Sequence, residues 1–200
     1  MSKNYQGIFG FLNNQNIENT NIVVDDKYMR QLLIFKTNPS DLNQVVLFLY
    51  SEISKDEDIL EKRAIPPEIE EKIQYNNVVR YKEIINSSYS ENGFFLDSAY
   101  EALDFDVPGR KKKFLKYINI LYLESLGEYI KNNPNNDRIS VIRNNSDNII
   151  TMVINKLLLR LASNNTLIEH LSIESIEHSI IVIVTHAFVD CKVLENPNTI

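Results

Sequence analysis

Near the C-terminal end, Ile176, Ile180, Ile183, Ala187 and Cys191 step along one helical face, and Ile181, Val182 and Val184 fill the other sides. A helix that is apolar nearly all round sits at the centre of a core or under a partner. The β-branched run also fits a buried strand, because period alone does not separate short apolar runs. Continuation of the stripe to Cys191 favours helix. Ser172 is placed to N-cap it, with Leu171 and Ile176 spaced for a hydrophobic staple. Such an element needs other helices around it. The expected fold is all-α, a compact multi-helix bundle.

The rest of the chain supplies those helices. After Asp25, Tyr28, Leu32 and Phe35 fall at helical spacing; Pro39-Ser40-Asp41 stops that helix and caps a second, lined by Val45, Leu49 and Ile53. Pro66-Pro67 opens a further helix, where a fixed φ and a missing N–H suit the first turn, and Glu68, Glu70 and Glu71 favour its positive end. Helices are expected over about 77–87 and 93–105. After Asp106-Val107-Pro108-Gly109 a long helix carries Leu115, Ile118, Leu121 and Tyr122 on one face, until Pro134 closes it. Asn144-Asn145-Ser146-Asp147 reads as a cap cluster ahead of Ile149, Val153, Leu157 and Leu161.

Two β-capable pieces, Gly7 to Leu12 and Ile22 to Val24, precede all of this. The charged, mainly acidic stretch from Ser54 to Arg63 has no apolar stripe and marks a boundary. Residues 1–60 are read as a short N-terminal appendage with at most a small β element, and residues 61–200 as the helical domain.

Two hundred residues suit one domain with a real core. Asn and Ile are over-used, as in AT-rich genomes, so Asn-rich patches carry little functional weight. A net charge of −6 argues against a general nucleic-acid binder, which normally carries a basic excess. The single Cys191 cannot form an internal disulfide, and Met1 to Tyr5 lacks the layout of a signal peptide. The best apolar run, Ile180 to Val184, falls far short of the ~18 residues a membrane span needs. A soluble, cytoplasmic protein without membrane contact is expected.

The candidate chemistry is thin. His178 and His186 lie eight apart, offset by roughly 80° on a helix, and lack the i, i+4 spacing of a helical zinc pair. Glu70-Glu71-Lys72 matches the end of a restriction-type nuclease motif, but that motif needs a strand, where residues two apart share a face. Asp97 and Glu101, four apart, read as solvated carboxylates rather than a cation site. No Walker-type loop exists. The expectation is therefore no catalytic residue, no metal, no cofactor and no enzyme activity. One patch is physically odd: Arg110, Lys111, Lys112 and Lys113 follow Gly109 at a helix N-terminus, where cations oppose the macrodipole. An anion there would meet free N–H groups and basic side chains together, so these four are the anion or nucleic-acid candidates.

Three segments carry a resemblance. They are Pro66-Pro67 with Ile69, Lys72-Ile73, Tyr75 and Asn76-Asn77; Pro108-Gly109 ahead of the Lys-rich helix with Leu115, Ile118 and Tyr122; and the ending Ala187-Phe188-x-x-Cys191-Lys192-x-x-Glu195-Asn196-Pro197. Over about residues 62 to 198 the chain resembles the C-terminal domains of effector proteins in bacterial ABC three-component, Lamassu-like anti-phage systems. That resemblance implies a domain coupling an effector to a middle component and to an SMC-like or Rad50-like ABC ATPase. In the family an effector, often a nuclease, precedes the domain. Here only about 60 residues precede it, too few for an ordinary nuclease fold, so the resemblance implies coupling without catalysis.

The leading expectation is a non-enzymatic interaction module of such a defence complex. Lys72, Asn76, Asn77, Lys192, Glu195 and Asn196 are the expected partner-binding residues, because they are polar and show no obvious core role. The tail from Lys192 to Pro197, with part of the last helix, is expected to meet another subunit. The rival is a DNA-binding accessory or regulator using Arg110 to Lys113 on phosphates, and a weaker third is a diverged metal-dependent nuclease.

Overall fold

The structure, a computed structural model, describes residues 39–51, 69–105, 107–162, 171–190 and 192–197. Its helices are α1 (Pro39–Ser51), α2 (Ile69–Tyr75), α3 (Lys82–Phe105), α4 (Arg110–Asn132), α5 (Arg138–Ala162) and α6 (Ile173–Val189). Helix accounts for 82% of the described residues, with no strand among them, so the fold is all-α. The β-capable pieces before residue 25, the helix expected from Asp25, Pro66-Pro67 and Cys191 all lie outside the described residues.

Helix α6 is the axis of the bundle. It packs against α1, α3, α4 and α5, and every residue from Ser175 to Val189 except His186 is buried. The Ser172 hydroxyl caps it, accepting the Ser175 N–H at 3.1 Å, and Leu171 and Ile176 are both buried. The expectation that part of this helix needs another subunit to cover it is corrected. Four helices of the same chain enclose it, because each contributes a full stripe of Leu, Ile and Val to one core.

Helix α1 belongs to that core. Leu42, Val45 and Val46 are fully buried and Leu49 is nearly so, and α1 packs on α3 and α6. The helix at 39–51, which the sequence reading placed in the N-terminal appendage, is part of the bundle. Among the described residues no helix is long and apolar enough to cross a membrane.

Two helix boundaries differ from the sequence reading. Helix α3 runs unbroken through Gly93, where two helices were expected. A mid-helix glycine costs about 1 kcal/mol against Ala, but Ile84, Ile85, Ser88, Asn92, Leu96, Ala99 and Leu103 continue one buried face across it. Packing outweighs the local weakness. Helix α5 starts at Arg138 rather than after Asp147. Asp137 holds its first turn, its carboxylate accepting the Ser140 N–H at 2.9 Å and the Ser140 hydroxyl at 2.6 Å.

Asp147 does cap a helix, but another one. From the middle of α5 its carboxylate accepts the N–H groups of Val79 (3.3 Å), Arg80 (3.1 Å) and Tyr81 (3.3 Å), the turn that leads into α3. These are donors that a helix start leaves without an intrahelical partner. Beside it the buried Tyr81 hydroxyl bonds Thr151 at 2.9 Å, and burial pushes that phenol up to about 12. Asp147→Ala is expected to cost about 1–2 kcal/mol, the scale of a lost N-cap. Asp147→Asn, which keeps one acceptor, should cost less. Urea unfolding midpoints measure both, and equal midpoints for wild type and Asp147→Ala would refute the remote cap.

Candidate functional site

Of the six polar residues expected on a partner surface, Lys72, Asn76 and Glu195 meet where α2 joins the C-terminal segment, and Lys72 and Asn76 are buried there. Helix α2 ends in a Schellman motif: the Val78 N–H reaches the Ile73 carbonyl at 3.0 Å and the Asn77 N–H reaches Gln74 at 3.1 Å. Asn77 holds the left-handed position at φ 54°, where Asn is tolerated better than any residue but Gly. Ile73 and Val78 make the apolar side of the motif, both buried. This end aims Lys72 and Asn76 at the C-terminal segment.

Lys72 is fully buried. Its ammonium donates to the Phe188 carbonyl and lies 4.5 Å from the centre of the Phe188 ring. That carbonyl is one of the four that the end of α6 leaves without an intrahelical donor, and a cation there also complements the macrodipole. Asn76, also fully buried, pairs with a backbone. Its Nδ2 donates to the Glu195 carbonyl at 2.9 Å and to the Lys72 carbonyl at 2.9 Å, while its Oδ1 accepts the Glu195 N–H at 3.0 Å. The amide thus uses both its N–H donors and its oxygen.

The tail completes the junction. The Lys192 N–H bonds to the Ala187 carbonyl at 2.8 Å, and the Lys192 carbonyl accepts from Asn119 at 2.8 Å. Val193 and Leu194 then turn into the core, Leu194 at φ 62°. The Glu195 carboxylate accepts from the Tyr122 hydroxyl at 2.7 Å and from Arg138 at 2.7 and 3.2 Å. Burial, with Glu195 beside it, raises the Tyr122 phenol well above its ordinary value. The expectation that these residues lack a core role is corrected for Lys72, Asn76 and Glu195: each satisfies a group on a distant element. Asn77 is exposed, and Lys192 and Asn196 are half-buried.

The basic patch is partly answered from within the chain. At the start of α4 the Asp104 carboxylate accepts the Lys111 N–H at 2.7 Å, taking one of the donors that an outside anion would need. Arg110 lies 5.3 Å from the Tyr50 ring centre and Lys111 lies 4.8 Å from that of Tyr100. Lys112 is exposed. Asp104, and Asp97 at 3.9 Å from the Lys111 ammonium, offset the unfavourable placing of cations at a positive helix end.

A third group was not singled out as a unit in the sequence. His186, in the last turn of α6, has Asp97 Oδ1 3.6 Å from Nε2 and Asp190 Oδ2 3.8 Å from Nδ1. The Tyr100 ring meets it edge-on at 5.4 Å. The carboxylates lie at opposite edges of the imidazole and so do not converge on a common point. Among the described residues no group of three or more His, Cys, Asp or Glu could hold a metal. The buried Tyr100 hydroxyl finds no hydrogen-bond partner among the described residues, and burial raises its pKa, so it is a poor nucleophile. Glu70 pairs with Lys82 at 2.7 Å, far from any arrangement with the buried Lys72 that a nuclease would use.

The chain matches no family model, no curated protein and no solved structure. Sequence reasoning missed Asn119, Tyr122 and Arg138 as partners of the tail. Their signal is faint, because each sits at an ordinary helical polar or interfacial position.

The histidines give a pH test. Burial lowers the pKa of His178 and of His186, at His186 against the pull of Asp190 and Asp97. A base with a depressed folded pKa leaves the unfolded chain binding more protons, so stability is complete above about pH 6.5 and falls as pH drops below it. The urea midpoint is expected to fall between pH 7.5 and pH 5.5, and less steeply in a His178→Gln, His186→Gln variant. A midpoint independent of pH over that range would refute the assignment.

Proposed function

We propose that this chain is a non-enzymatic helical coupling module of a bacterial ABC three-component, Lamassu-like defence complex, with an SMC-like or Rad50-like ABC ATPase and the middle component as its partners. The observation that carries the reading is the meeting of the segments that bear the resemblance. The Lys72-to-Asn77 opening and the Ala187-to-Pro197 ending join through Lys72–Phe188 and Asn76–Glu195, at separations of 116 and 119 residues. Asn119 and Tyr122 of the Lys-rich helix bind the same tail. That the residues carrying the resemblance interlock in this way supports reading them as the framework of one domain. On this reading they build the module, and the partner surface lies on faces the lock leaves open.

The test is co-expression of the chain with the ABC ATPase and middle component encoded beside it. Co-elution of this chain with either on size exclusion is the expected result. Separate elution of all three, or the lack of any ABC ATPase gene beside this one, would overturn the reading. The DNA-accessory reading predicts instead that Arg110, Lys112 and Lys113 changed together to Ser abolish DNA retention.

A further inference from the structure

Helix α3 turns one whole face away from the core, and that face has an uncommon make-up. Phe94 is 78% exposed and Phe105 is 87% exposed. Eleven residues apart, they lie within about 20° of one line along the helix, some 16 Å from each other. Ser98 and exposed Glu101 lie between them, with exposed Glu91 and Asp97 on the flanks. From Glu83 to Phe105 the helix contains no Lys or Arg; Asp97 is met from α4 by the Lys111 ammonium at 3.9 Å. The adjacent Phe95 is half-buried against the core, so the Phe94-Phe95 pair splits between core and surface.

A lone exposed apolar side chain is ordinary. Two phenylalanines almost fully in water, on one line and beside the exposed carboxylates of Glu91 and Glu101, are a different case. Aromatic residues are enriched at the anchoring centres of interfaces, and opposite charge around them steers the partner. We infer that the Phe94–Phe105 face of α3 docks an amphipathic segment of a partner protein that sets large apolar side chains between Lys and Arg. Its apolar side chains cover the two rings, and its cations meet Glu91 and Glu101. The inference rests on the proposed coupling role, because it supplies the surface through which the chain engages the middle component or the ATPase.

The test uses the full chain with Phe94→Ser and Phe105→Ser together, and separately with Glu91→Lys and Glu101→Lys. Both sets lie on the exposed face, so thermal unfolding should match wild type. In co-purification with the system's components, each set should lower affinity by at least about tenfold, the scale of losing one interface anchor. Wild-type binding that both sets leave unchanged would overturn this face while leaving the coupling role intact. A wild-type chain that binds neither component would overturn the coupling role instead. A second measurement stands apart from both: the wild-type chain should bind a designed Leu/Lys amphipathic helical peptide and not its Leu/Glu counterpart, and the Phe variant should bind neither. Equal binding by wild type and Phe variant would overturn the proposal. So would a dimer of the wild-type chain in sedimentation that the Phe variant dissolves, since it would assign the face to a second copy.

Discussion

Deletion of residues 192–200 is expected to lower the thermal unfolding midpoint by about 10–20 °C, whether or not a partner is present. Val193 is fully buried and Leu194 is 3% exposed, and burying such side chains contributes about 1.5–3 kcal/mol each. The deletion also strips Asn76 of both its Glu195 bonds and leaves Tyr122, Arg138 and Asn119 without these tail partners. Buried polar groups left unpaired cost about 1–3 kcal/mol each. A combined loss of about 5 kcal/mol is comparable to the entire stability of a marginal domain. A tail serving only as a partner surface, the role expected from its sequence, would leave the midpoint unmoved. Differential scanning calorimetry of the two chains decides between these.

The second large effect is expected from an isosteric change, Asn76→Asp. Shape and volume are kept, but the Nδ2 that donates to the carbonyls of Lys72 and Glu195 becomes an oxygen facing two oxygens. The site is fully buried, so water cannot relieve the repulsion. A cost of about 3 kcal/mol or more is expected at pH 7. The sign of its pH dependence is the diagnostic part. Burial against carbonyls raises the folded pKa of the new carboxyl above its unfolded value of about 3.9. The folded variant then binds more protons than the unfolded one. Part of the lost stability should therefore return as pH falls from 7 toward 5, opposite to the trend the buried histidines impose on wild type. A variant as stable as wild type at pH 7 would show that the Asn76–Glu195 pairing contributes nothing.

Both results concern residues whose sequence reading pointed outward. Lys72, Asn76 and Glu195 are polar, lie beside helix ends and fit no apolar stripe, and such residues are exposed in most proteins. Helical periodicity reports which face of an element is apolar. It is silent on whether a polar side chain near the end of α2 will find a carbonyl 116 residues later. The same limit hid the role of Asp147. Beside Asn144, Asn145 and Ser146 it read as the local cap of its own helix, and its type was right for capping. The helix it caps is α3, because the packing of α5 brings its carboxylate to the Val79–Tyr81 turn.

What the sequence determined by itself is the class of fold and its most apolar helix. Ile176, Ile180, Ile183 and Ala187 with their apolar neighbours favoured a helix apolar nearly all round, and Ser172 placed its start; both rest on local spacing and a local cap, which a chain carries in its own order of residues. Pro108-Gly109 likewise placed the start of α4, since Gly109 takes φ 93°, a conformation that side chains disfavour. Tertiary structure alone decided that α1 joins the core, that Gly93 does not divide α3, and that the tail locks onto Lys72 and Asn76. It also left Phe94 in water while drawing Phe95 toward the core. Each of these is settled by partners far away in the chain, where burial and hydrogen-bond satisfaction outweigh the tenths of a kcal/mol to about 1 kcal/mol that local propensity supplies.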